Sequence, residues 1–244
     1  MTAKEKQAIK FAALYVGVMG LGMYVMYHIF GISYDSPNIA KVLIYVEVAL
    51  TAIAVGVNNH FFNNAGFKKL DPKGLKWFIP YFIILAVILA LIIFTADREK
   101  GFNIWLTVQI LVTTLLVGIS EEVMFRGIVF HTFLENGNVK RAIFISAIAF
   151  ALLHSVNVLG GLPLAGMLYQ LFSTFVFGMI FACLAYKMKN LTLLIVYHWI
   201  WDFALVSSSV MHTSIGIITS FASVFGLVYA LILLKSIGRK SQAN

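Results

Sequence analysis

Seven ionisable side chains lie inside the long apolar runs of this 244-residue chain: Glu47, Glu121, Glu122, Arg126, His154, His198 and Asp202. An ionisable group at membrane depth is costly, so it marks a cavity, a partner or a functional site. Six of the seven fall in only three of the runs. In the stretch Ser120-Glu121-Glu122-Val123-Met124-Phe125-Arg126, Glu122 and Arg126 stand four apart, on one helix face and within ion-pair reach. Glu121 points about 100° away from Glu122 and is less easily neutralised by the arginine. A carboxylate left unpaired in this way can serve as a general base. The alternative is a buried salt bridge that only fixes helix packing. Phe150 and His154 repeat the four-residue spacing, as do His198 and Asp202. In the last pair the carboxylate could hold the imidazole in one tautomer, or both could ligate a metal. Packed, hydrogen-bonded histidines would give the same pattern.

Depth separates these readings. At 1.5 Å per residue, Glu121 lies roughly 15 Å from the inner end of its run, His154 roughly 20 Å, and His198 and Asp202 roughly 12 and 18 Å. Unrelated packing residues have no reason to align. Three helices therefore bring polar groups to a shared level in the inner half of the membrane.

The elements that carry them are set by composition. The chain is 61% hydrophobic and 11% charged, with mean hydropathy +0.92. Soluble domains are about half apolar and about a quarter charged, so a water-soluble globule and a disordered chain are both excluded. Eight spans are expected, near 11–31, 39–59, 77–96, 103–131, 141–159, 165–186, 190–209 and 214–235. The first is too long for a signal peptide and has no evident cleavage site, so it is read as retained. Short connections and the absence of repeats make 1–244 one membrane domain, an all-α bundle, with the motif-bearing core at about 103–209.

The net charge of +8 does not point to nucleic acid, because the basic residues sit between spans. With both termini inside, fourteen Lys and Arg fall on the cytoplasmic side and three, Lys41, Arg98 and Lys100, on the other. That asymmetry orients the bundle with both termini cytoplasmic. Glu47 is read as structural. His28, His60, His131 and His212 sit at span ends, and the single cysteine, Cys183, is read as packing.

At Glu121-Glu122…Arg126, Phe150…His154 and His198…Asp202 the sequence resembles the CAAX-protease and bacteriocin-processing (Abi) family of intramembrane proteases. Its marks are E-E-x-x-x-R, F-x-x-x-H and H-x-x-x-[N/D], in that order, over roughly 103–209. The resemblance implies an eight-helix enzyme that hydrolyses peptide bonds in or beside the bilayer. Glu121 and His154 would activate water, His198 and the residue four later would stabilise the oxyanion, and Glu122 and Arg126 would support the site. Where the prenyl-processing branch typically has Asn, this chain has Asp202. An ionised carboxylate cannot donate to an oxyanion, so Asp202 is expected to orient His198 or to bind a metal.

Glu121, His154 and His198 could hold Zn²⁺ with one position open for water. The H-E-x-x-H signature is absent, and metal-free chemistry is preferred. A rhomboid-type serine protease, an aspartyl type needing two intramembrane aspartates, and a site-two-type zinc protease all fit worse. The alternative from another class is a non-catalytic immunity or peptide-binding protein using the same polar cavity; a proton-coupled transporter fits less well, for want of repeats and broken helices. The expected partners are the lipid bilayer and a hydrophobic peptide or membrane-protein substrate. A bacteriocin or signalling peptide at a bacterial cell membrane is favoured over a prenylated one.

Overall fold

The computed structural model describes residues 1–95 and 103–241, with side chains to residue 238. Arg98 and Lys100 of the charge asymmetry lie outside the described residues, as do the side chains of Arg239 and Lys240. Among the described residues eight longer helical segments follow in order: α1 (Ala3–His28), α2 (Ala40–Phe61), α3 (Ile79–Thr95), α4 (Ile104–Leu134), α5 (Val139–Leu153), α6 (Leu164–Met188), α7 (Thr192–Val210) and α8 (Gly216–Ser241). No strand forms among the described residues. Seven of the helices are long and apolar enough to cross a membrane, α5 when taken with the helical turn that carries it on to Gly160; α3 is described over 17 residues. α3 runs to Thr95, the last described residue of that segment, and stands where the third of the eight expected spans was placed. The chain is an integral multi-pass membrane protein.

Local chemistry sets the ends. The Thr2 hydroxyl accepts from the Glu5 backbone N–H while the Glu5 carboxylate takes the Thr2 N–H, a reciprocal cap that starts α1 before the expected residue 11. Asn103 and Asn138 cap α4 and α5 by accepting from Leu106 and Arg141. A 3-10 turn, 154–160, continues from α5 and stops at Gly161, whose φ of +86° suits glycine.

Within α4, residues Glu122–Phe130 wind as a π-helix. The wider turn shifts carbonyls off the ordinary ladder, and side chains collect them. Ser146 Oγ donates to the Phe125 carbonyl at 2.8 Å, and His131 Nδ1 to that of Arg126 at 2.6 Å. Such π stretches inside α-helices are frequent at functional sites.

The packing places α4 between α2 and α7, with α5 against α6 and α1 across α2 and residues 154–160. At one end of the bundle Lys4 meets Glu135 at 2.6 Å, Arg141 meets the buried Glu5 at 3.1 Å, and Lys189 meets Asp71 at 3.5 Å. These contacts join segments that the charge pattern assigns to one side. At the opposite end the Tyr34 N–H donates to the Gly160 carbonyl. An apolar core rich in aromatic rings, including Tyr15, Phe125, Phe150, Phe181 and Tyr197, fills the space between.

Candidate active site

α4 and α7 approach closely because Gly118 has no Cβ. One built there would stand 3.0 Å from the Ile195 carbonyl oxygen and 3.1 Å from the Trp199 nitrogen. Just beyond Gly118, α4 presents Glu121 and Glu122 to α7, which presents His198 and Asp202. The π-helical turn then carries Arg126 inward, where it is fully buried.

Glu122 is the junction of the site. Its Oε1 accepts from Arg126 Nη1 at 2.9 Å and from His198 Nδ1 at 2.8 Å. A carboxylate paired with arginine only accepts, so Nδ1 of His198 carries a proton and Nε2 is the nitrogen turned to chemistry. Nε2 lies 3.4 Å from Asp202 Oδ2 and 3.7 Å from Glu121 Oε2. The second distance is too long for a hydrogen bond, and Glu121 Oε2 has no hydrogen-bond partner among the described residues.

Aromatic rings hold these charges in place. The Arg126 guanidinium stacks 4.0 Å over the Phe150 ring and 5.5 Å from that of Phe181, which accounts for a buried cation whose Nε and Nη2 find no acceptor. The His198 ring meets Phe150, Phe177 and Phe181 edge-on, at 5.3–6.2 Å between centroids.

His154 begins the 3-10 turn after α5. Its Nδ1 lies 3.0 Å from the Phe150 carbonyl. A carbonyl only accepts, so Nδ1 holds the proton and Nε2 is left with its lone pair.

Glu121, His154, His198 and Asp202 line one cavity of about 620 Å³. Glu122 and Arg126 stand behind its wall as a fully buried pair. The cavity reaches the exposed Asp35 and the half-buried Ser36, near the end of the bundle opposite the lysine-rich segments.

Two features depart from the spacing argument. The carboxylate bonded to His198 Nδ1 is Glu122, across from α4, while Asp202 stands nearer the other ring nitrogen. A carboxylate from α2 also joins the wall: Glu47, fully buried, accepts from Ser120 Oγ at 3.0 Å, and Ser120 in turn lies 2.7 Å from Tyr15 Oη. Glu47 was legible in the sequence as an ionisable residue inside a span; helix spacing within one segment could not show what it faces.

Among the described residues no three His, Cys, Asp or Glu side chains converge as metal ligands. Glu121, His154 and His198 share the cavity without forming a ligand set among the described residues.

Residues 103–204 match the family model of the type II CAAX prenyl endopeptidase Rce1-like proteins. This segment is Rce1-like. The Rce1-like segment contains all seven motif residues, from Glu121 to Asp202, and leaves α1–α3, the last turns of α7 and all of α8 outside it. The family is one of proteases. No curated protein and no solved structure matches the chain.

Proposed function

We propose that the protein is an intramembrane endopeptidase that hydrolyses a hydrophobic or membrane-associated peptide with water activated by Glu121 and His154. The observation that carries this reading is the convergence of Glu121, His154, His198 and Asp202, from three helices of the Rce1-like segment, on one cavity. Glu121 is suited to the base role because one of its oxygens is buried and has no hydrogen-bond partner. A water there would give a proton to Glu121 as its oxygen attacks the peptide carbonyl carbon. The lone pair on His154 Nε2 would accept the water's second hydrogen as a hydrogen bond and hold it in line.

The carbonyl oxygen, becoming an oxyanion, would be met by His198 Nε2–H, with the imidazolium supported by Glu122 at Nδ1. As the tetrahedral species collapses, the C–N bond breaks and the amine leaves with the proton that Glu121 took from water. Arg126 holds Glu122 aimed at His198. Glu122 and Arg126 thus act through His198, as positioning residues.

The basic segments that meet at one bundle end support a cytoplasmic location for both termini. A bacteriocin or signalling peptide at a bacterial membrane is the substrate we favour. The experiment is direct: purified protein in detergent is incubated with hydrophobic peptides, and products are read by mass spectrometry beside a Glu121→Gln control. Cleavage that depends on Glu121 supports the enzyme. Saturable binding without cleavage by the folded protein would establish the non-catalytic peptide-binding reading instead.

A further inference from the structure

The charge of the cavity is one-sided. Four carboxylates line it, Asp35, Glu47, Glu121 and Asp202, and among the described residues no lysine or arginine does. This occurs in a chain whose net charge is +8. The cation nearest in function, Arg126, is fully buried behind the wall and matched by Glu122. Among the lining residues only His154 and His198 can carry the opposite charge.

The carboxylates are spread along the cavity. Asp35 is exposed and accepts only from the Ser33 hydroxyl, at 2.6 Å. Asp202 is 23% exposed. Glu47 and Glu121 lie deepest, and each has a buried oxygen with no hydrogen-bond partner, Oε1 in Glu47 and Oε2 in Glu121. Two such atoms on one wall call for a proton or a cation, because a buried charge without a partner is strongly unfavourable. The rest of the wall is largely apolar, with Met19, Met23, Leu43, Ile110 and Val117 among its residues.

We propose that this cavity selects an apolar peptide bearing a cationic nitrogen close to the scissile bond and rejects one that ends there in a free carboxylate. The nitrogen is a lysine or arginine side chain or a free α-amino group. This rests on the endopeptidase reading and names its substrate class. A CAAX sequence lies at the extreme C-terminus of its protein, so its last residue brings an anion within three residues of the modified cysteine. Such a substrate would set like charges against each other in a low-dielectric cavity.

The test uses the full-length protein and a set of apolar peptides differing at one site: lysine, arginine, norleucine or glutamate. The N-terminus is free or acetylated, and the C-terminus amidated or a free acid. Hydrolysis is followed by mass spectrometry and binding by quenching of tryptophan fluorescence, for which Trp201 lines the cavity. Lysine or arginine peptides should exceed the glutamate peptide at least ~10-fold in kcat/KM, since like-charge juxtaposition costs several kcal/mol. Asp35→Lys should reduce that ratio; Asp35 is exposed, so the variant folds. If acetylation of the N-terminus abolishes the preference, the free amine is the recognised group; if it does not, the side chain is. Equal cleavage and equal binding of the lysine, norleucine and glutamate peptides would overturn the proposal and leave the enzyme standing. Preferential binding of cationic peptides with none cleaved would uphold the charge selection and defeat the endopeptidase reading.

Discussion

Arg126→Met is the substitution in which the geometry commits to a number. Arg126 is fully buried, and among the described residues only its Nη1, of the guanidinium nitrogens, has a hydrogen-bond partner, Glu122 at 2.9 Å. Methionine keeps much of the length and apolar volume of the side chain, so the packing against Phe150 and Phe181 is largely retained and cavity formation is a small part of the cost. What remains is a Glu122 carboxylate stripped of its cation. Removing one member of a buried ion pair costs about 3–5 kcal/mol, and loss of a desolvated cation–π contact at 4.0 Å adds up to about 2 kcal/mol.

One contact moderates the sum. His198 Nδ1 still donates to the same Glu122 oxygen at 2.8 Å, so the carboxylate is not left wholly alone. The lower end, about 3 kcal/mol, is therefore expected. In a chain of this length each kcal/mol moves the melting temperature by about 2–4 °C, which gives a fall of roughly 6–12 °C at that end. The assay is thermal unfolding in detergent, followed by fluorescence at fixed pH and salt. Glu122→Leu combined with Arg126→Met should recover most of the loss, because no buried charge is then orphaned, yet the double variant should remain inactive without the group that holds His198. An Arg126→Met protein as stable as the parent would refute the pairing, and an active double variant would refute the role given to Glu122.

The other predictions concern chemistry and placement. Glu121→Gln should lower hydrolysis by at least ~10²-fold, the low end for loss of a general base; full activity in a folded variant would end the water-activation scheme. Because Glu122 rather than Asp202 bonds His198 Nδ1, Glu122→Gln should cost more in kcat than Asp202→Asn, and the reverse order in paired assays would show that Asp202 does the orienting. Gly118→Leu should push α4 from α7 at the Ile195 carbonyl and lower activity by ~10²-fold, the scale of a 1 Å misplacement, while circular dichroism shows the helices intact. Chelators should leave the rate unchanged, since Glu121, His154 and His198 do not form a ligand set among the described residues; loss of activity that returns with added Zn²⁺ would show that they close around a metal.

What the sequence could carry was whatever repeats along one helix. Apolar runs located the helices, and four-residue spacing placed Glu122 beside Arg126 and His154 one turn after Phe150. Both contacts are present, at 2.9 Å between side chains and 4.9 Å between rings. Relations between helices were not legible in this way. The strongest bond to His198 comes from α4, seventy-six residues away, not from its own helix, and Glu47 reaches the cavity from α2, outside the Rce1-like segment. The π-helical turn was hidden for a different reason: its extra residue breaks the 3.6 period that any spacing argument assumes, and the donors that stabilise it, Ser146 and His131, look like ordinary polar residues in a list.

These relations also explain why one residue ties stability to chemistry. A single oxygen of Glu122 receives both Arg126 and His198, so whatever stabilises the buried pair also fixes the ring that faces the cavity. The arginine would contribute little more than a costly buried charge if the pair were only structural, since an apolar replacement of the same volume is often neutral or better. Its use here follows if Glu122 must be held against His198 at the depth where that ring works. The stable double variant described above then separates the two roles: a bundle that melts like the parent and hydrolyses nothing is the behaviour of a charge kept for catalysis, not for folding.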